Sequence, residues 1–150
     1  MPSRSFALTA TVAAPPERVI DFLMRLDGHR GIHPYLQSAV VVSEGTGDEG
    51  PWWDWQVTER PAAGPLRYTI RFPARMSRLT PTAMRGHVRA APGCRLDTVT
   101  RATGTTSGTI VEETTVVTAP WPLLGYMAKH ARLAHERTFR MLSGELDRAA

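Results

Sequence analysis

Residues 120–146 read PWPLLGYMAKHARLAHERTFRMLSGEL, with no glycine or proline between Tyr126 and Ser143. Pro120 and Pro122 suit a helix start, where a missing amide proton breaks no hydrogen bond. At about 100° per residue, Leu124, Met127, Ala128, Ala131, Thr138, Phe139, Leu142 and Leu146 fall on one stripe. Lys129, Arg132, Glu136, Arg137, Arg140 and Asp147 take the other side, with Leu133 an exception. Carried to about residue 148, such a helix is on the order of 40 Å long. An apolar stripe of that length needs a sheet to cover it.

The preceding residues supply one. Phe6, Leu8, Ala10 and Val12 alternate with Ala7, Thr9 and Thr11, the period of a strand. Ala14-Pro15-Pro16-Glu17 stops it and opens a short helix with Val19, Ile20, Phe22, Leu23 and Leu26 on its apolar side. This helix fails near Asp27-Gly28. A turn follows through Gly31 and Ile32-His33-Pro34-Tyr35, because a residue before proline is driven out of helical geometry.

From there to residue 118 the pattern is strand, turn, strand. Extended runs are expected at 36–44, 52–59, 66–75, 83–90, 95–103 and 109–118, with a turn-rich link at 45–51 and a break at 61–65. In the third run Leu66, Tyr68, Ile70 and Phe72 oppose Arg67, Thr69 and Arg71. In the fourth, Met84, Gly86 and Val88 oppose Arg85, His87 and Arg89. Such alternation belongs to antiparallel strands wetted on one face. The expected architecture is one α+β domain over 1–150, with about seven curved antiparallel strands around the C-terminal helix. Ala128, Ala131 and Gly86 are too small to fill the space between them, so an apolar pocket is expected there.

Composition narrows the classes. A hydrophobic fraction of 42% and a charged fraction of 21% over 150 residues are those of a globular chain. No apolar run approaches the roughly 20 residues of a membrane span. Residues 1–5 lead into alternation, not into a secretory apolar block, so the cytoplasm is the expected compartment. Cys94 is alone, which excludes an internal disulfide and supports no metal site by itself. The net charge of +4 is spread thinly, and Lys129 is the sole lysine, a pattern that GC-rich coding bias also produces. A nucleic-acid partner is not expected, because the basic outer face lacks interleaved aromatics.

The order of elements resembles the START/Bet v 1-like helix-grip superfamily (SRPBCC), in its polyketide cyclase/dehydrase-like branch. The resemblance rests on Val12-Ala13-Ala14-Pro15-Pro16-Glu17-Arg18-Val19 with Phe22-Leu23, on His33-Pro34, on the run of hairpins and on the closing helix from Pro120 to Leu146. It spans nearly the whole chain. It implies the helix-grip fold and a small hydrophobic molecule, a lipid or a polyketide among the classes the superfamily takes. It implies no cofactor and no shared catalytic set, since fold sets only a prior on function.

His135 falls near the middle of the apolar stripe. There it could serve as ligand donor or general base, or be a buried histidine satisfied by a strand hydroxyl. One of Glu112 and Glu113 must point toward the helix; with Val111, Thr115 and Val117 inward it is Glu113, which would orient His135. The alternative for that carboxylate is the rim of the strand, facing arginine or water. Trp53, Trp55 and Tyr68 are placed on the inner sheet face, as ligand walls or as core, with the Tyr68 hydroxyl a polar contact or a third proton-moving group. His33 and Tyr35 are placed at the pocket mouth, and Phe72, Met84, Met127 and Ala131 in its walls. His29 and His33 have a metal-like spacing, but Gly31 and Pro34 break the helix it would need, so no metal is expected.

Two functions follow: binding of a small, mostly apolar ligand, or cofactor-independent cyclase or dehydratase chemistry by His135 with Glu113 or Tyr68. A third reading uses an outward row of Arg67, Arg71, Arg85, Arg89, Arg95 and Arg101, interrupted by Asp97, to meet an acidic protein.

Overall fold

The computed structural model describes residues 1–148. Strand β1 (Ser3–Val12) leads into helix α1 (Pro16–Met24), and β2 (Leu36–Gly47) and β3 (Gly50–Glu59) follow as a long hairpin. A small hairpin, β4 (Ala62–Ala63) with β5 (Leu66–Arg67), precedes β6 (Ile70–Thr80), β7 (Ala83–Ala90), β8 (Cys94–Thr105) and β9 (Gly108–Thr118). Helix α2 (Trp121–Arg148) closes the chain. The main sheet has seven antiparallel strands in the order β1-β9-β8-β7-β6-β3-β2, so β1 and β2 are its edges.

The expected α+β layout is the observed one, with two local corrections. The link at 45–51 is a tight turn of Asp48 and Glu49 alone, and the strands run through Gly45 on one side and Pro51 on the other. Gly45 serves packing: a Cβ there would lie 2.6 Å from the Trp52 ring across the hairpin. The positive φ of 100° falls on Gly50, where a Cβ would meet the Arg78 carbonyl oxygen at 2.4 Å. The run 66–75 is not one strand: it breaks at Tyr68-Thr69, leaving Leu66 64% exposed on the small hairpin, while β6 continues past Pro73 to Thr80.

Helix α1 starts with Pro15 in extended geometry (ψ 153°) and Pro16 inside the first turn, and buries Val19, Ile20, Leu23 and Met24. Leu124 already donates its amide to the Pro120 carbonyl (3.1 Å), so α2 begins where the prolines indicate. The larger core cluster joins α1, the sheet and the C-terminal half of α2 through Phe139, Leu142 and Leu146. A smaller one gathers Phe6, Cys94, Val117, Ala119 and Leu124 at the start of α2. Between them α2 is only half-buried at Met127, Ala131, His135 and Thr138, because those residues face a cavity.

Candidate functional site

The cavity has a volume of about 250 Å³ and walls that are mostly apolar. Phe72, Met84, Met127 and Ala131 line it as expected, joined by Leu23, Leu36, Val57 and Met76. Trp53 and Trp55 do not. They are on the inner face, but they sit beneath α1 in the larger core cluster and line a separate recess with Met24 and Arg25. Parity placed them on the correct face; only the course of α1 determines what covers them.

On β9 the burial alternates, with Val111, Glu113, Thr115 and Val117 inward and Glu112 exposed. Glu113 lies in register between Leu8 and Thr100. Its Oε1 accepts the His135 Nδ1–H in a close contact and the Thr115 hydroxyl at 3.3 Å, and Oε2 accepts the Thr100 hydroxyl at 3.5 Å. Strand β9 and α2 thus bring together the two residues that sequence periodicity nominated. The Phe6 ring packs edge-on against the imidazole at 5.7 Å. Burial opposes charge on His135, but the Glu113 carboxylate, by charge and by hydrogen bond, outweighs it and, with Glu59, holds the pKa above 6.5. The charged form of His135 is therefore favoured, and Nε2 makes no hydrogen bond within the described residues.

A second histidine–carboxyl pair lines the same cavity. His33 Nε2 lies 3.4 Å from Glu59 Oε2, yet the two are not an ion pair. Burial pushes the Glu59 carboxyl up to about 7, against a partial pull from His135. Burial, then repulsion from His135 and His29, pushes His33 down to about 3. The Tyr35 amide donates to His33 Nδ1 (3.3 Å), so the neutral ring carries its proton on Nε2. Behind it, His29 donates from Nε2 to the Phe22 carbonyl (2.9 Å) and is buried and neutral. Sequence reasoning missed Glu59, although it has the parity of Trp53, Trp55 and Val57 on β3.

His33 and Tyr35 line the cavity as expected, and the Tyr35 hydroxyl lies 3.5 Å from His130 Nδ1. Tyr68 requires correction. It stands in the irregular segment between β5 and β6, not on the sheet, and its hydroxyl meets that of Tyr126 at 2.6 Å. That bond first, then burial, pushes the Tyr68 pKa up to about 12, so it can wall the cavity but not act as a base near neutral pH. Tyr126 packs on His130 with ring centroids 4.1 Å apart, and both also line the cavity.

The arginine row is also partly redrawn. Arg67 belongs to the small hairpin, off the main sheet. Arg85 pairs with Glu49 (3.0 Å), and Asp97 holds His87. Among the described residues, no three His, Cys, Asp or Glu side chains converge as a metal site would. No helix there is long and apolar enough to cross a membrane.

No protein-family model matches the sequence, and no curated protein matches it at a significant level. Solved structures match it along its length. The Zhui aromatase/cyclase from Streptomyces sp. R1128 superposes with a TM-score of 0.72 at 19% identity, over 98% of this chain and 95% of that one. A START superfamily protein from Mycobacterium smegmatis gives 0.73 at 12% identity, over 99% of each chain. The di-domain aromatase/cyclase StfQ of the steffimycin biosynthetic pathway gives 0.74 at 12% identity, over 98% of this chain and 51% of that one. The chain therefore has the helix-grip fold of START and aromatase/cyclase proteins, as its element order suggested. At these identities the likeness establishes the fold.

Proposed function

We propose that the protein binds a small, mostly apolar ligand, aromatic or polyketide-like in shape, between the sheet and α2. The observation that carries this reading is the cavity of about 250 Å³ beneath the small side chains of α2, apolar apart from a few converging polar groups. Native mass spectrometry of freshly purified protein should show an adduct that denaturation releases into an organic extract. Apolar aromatic compounds should raise the melting temperature. No adduct, together with no thermal shift across a panel of such compounds, would sink the reading.

A second reading, a cofactor-independent cyclase or dehydratase, is favoured by the His135–Glu113 pair. Glu113 holds the Nδ1–H and favours the protonated ring, leaving the Nε2–H to pass a proton to a bound ligand and recover it. Here His135→Ala should abolish turnover while ligand affinity changes by less than about tenfold. Equal loss of both would make His135 a binding residue only.

A further inference from the structure

Glu59 is the one carboxyl in the cavity that the pairing with His135 does not use. Its side chain is 14% exposed and accepts no hydrogen bond among the described residues. The groups around it are accounted for. His33, from the turn after α1, presents its Nε2–H toward Oε2. His135, on α2, is engaged by Glu113 of β9, which Thr100 and Thr115 also satisfy. Tyr68, from the β5–β6 segment, is bound to Tyr126. His130 of α2 faces Tyr35, and Arg137 lies on the exposed side of that helix. Among the described residues, the one cation that pulls on an ionised Glu59 is His135, which Glu113 already engages, and a protonated Glu59 has one O–H with no acceptor. Oε2 lies 3.4 Å from His33 Nε2 without a hydrogen bond, so the O–H is left for whatever fills the cavity.

Resting on the ligand-binding reading, we propose that Glu59 selects the ligand. As a carboxylic acid it donates a hydrogen bond to the carbonyl oxygen of a neutral, largely apolar molecule, and its ionisation expels that molecule. An apolar guest strips water from the carboxyl, which favours the neutral acid further, so binding takes up a proton. A ligand with an ammonium group would instead require Glu59 to ionise where burial opposes it, would bring a second positive charge toward the His135 imidazolium, and is disfavoured. The elevated pKa of Glu59, about 7, places the switch near neutrality.

Prodan, a neutral naphthyl ketone whose fluorescence reports burial, is a suitable probe, with naphthylmethylammonium as its charged counterpart. Prodan affinity for the wild-type protein should weaken above pH 7 by several-fold per unit, approaching the tenfold limit of one linked proton. Glu59→Gln, which cannot ionise, should hold the low-pH affinity across the range, apart from any residual slope from His135. Carbon-13 NMR of the Glu59 carboxyl should titrate near 7 in the free protein and higher with prodan bound. Prodan binding whose slope survives Glu59→Gln, or ammonium binding tighter than ketone binding below pH 7, would overturn the role of Glu59 and leave the cavity reading standing. Failure of both probes to bind at any pH would overturn both.

Discussion

The two halves of α2 share one helical stripe but meet the sheet differently. In the C-terminal half, Phe139, Leu142 and Leu146 are 7%, 0% and 1% exposed and share a core with Val19, Ile20 and Leu23. In the preceding turns, Met127, Ala131, His135 and Thr138 stand over the cavity. Period does not separate these halves; side-chain size does. Branched and aromatic residues fill the space beneath the C-terminal turns, while alanine, threonine and a tethered imidazole leave it open beneath the middle turns. The core shared with α1 at one end and the smaller cluster around Leu124 at the other hold the helix against the sheet and allow the turns between them to stay underfilled.

The largest effect should come from removing volume at the solid end. Leu142→Ala leaves a void among residues that cannot collapse onto it and should cost roughly 3–5 kcal/mol. For a chain of this size that is a fall in melting temperature on the order of 10 °C. Urea unfolding measures it directly. A loss under about 1 kcal/mol would mean that the clamp is as loose as the cavity.

The polar lining gives a smaller effect with a definite sign. Because the folded-state pKa of Glu59 is raised from 4.5 to about 7, the folded protein holds the extra proton between those values. Stability from this group is therefore greatest at acid pH and falls as pH rises through that window. Glu59→Gln removes the penalty. The variant should be more stable than wild type above pH 7, by on the order of 3 kcal/mol, and nearly indistinguishable from it near pH 4.5. His135, with its pKa also raised, works in the same direction: its contribution is complete below 6.5 and fades as pH rises through its folded value. Denaturant melts at pH 5 and pH 8 test this. An advantage of Glu59→Gln that does not grow with pH would show that Glu59 ionises normally.

What could be read from residues alone follows the same division. Strand parity and helical period placed His135 opposite the Glu112-Glu113 pair but left open which carboxylate faces it; the structure turns Glu113 inward with Val111, Thr115 and Val117. Both signals are local. Trp53 and Trp55 were on the correct face but under the wrong element, because which strands α1 covers is set by tertiary packing. Tyr68 continues the alternation of a strand in sequence, yet the β4–β5 hairpin takes up the chain there and turns the residue toward Tyr126. Glu59 had the inward parity but closed a strand just before Arg60-Pro61. A carboxylate in that position ordinarily reaches water, and nothing nearby in sequence reveals that His33 faces it.

The smallest stability effect is the sharpest test of the difference between the halves. Ala131→Leu adds volume in the part of α2 that faces open space. Overpacking a filled core costs about 1–3 kcal/mol; here the added atoms enter the cavity and gain apolar contact, so the change should stay within about 1 kcal/mol of zero. The same substitution removes room for a ligand, and prodan affinity should fall by at least tenfold. A variant of near-native stability that has lost binding would identify the space under Ala131 as the binding volume. If Ala131→Leu instead destabilises the protein as much as Leu142→Ala, the stripe is solid along its whole length and the two parts of α2 do not differ.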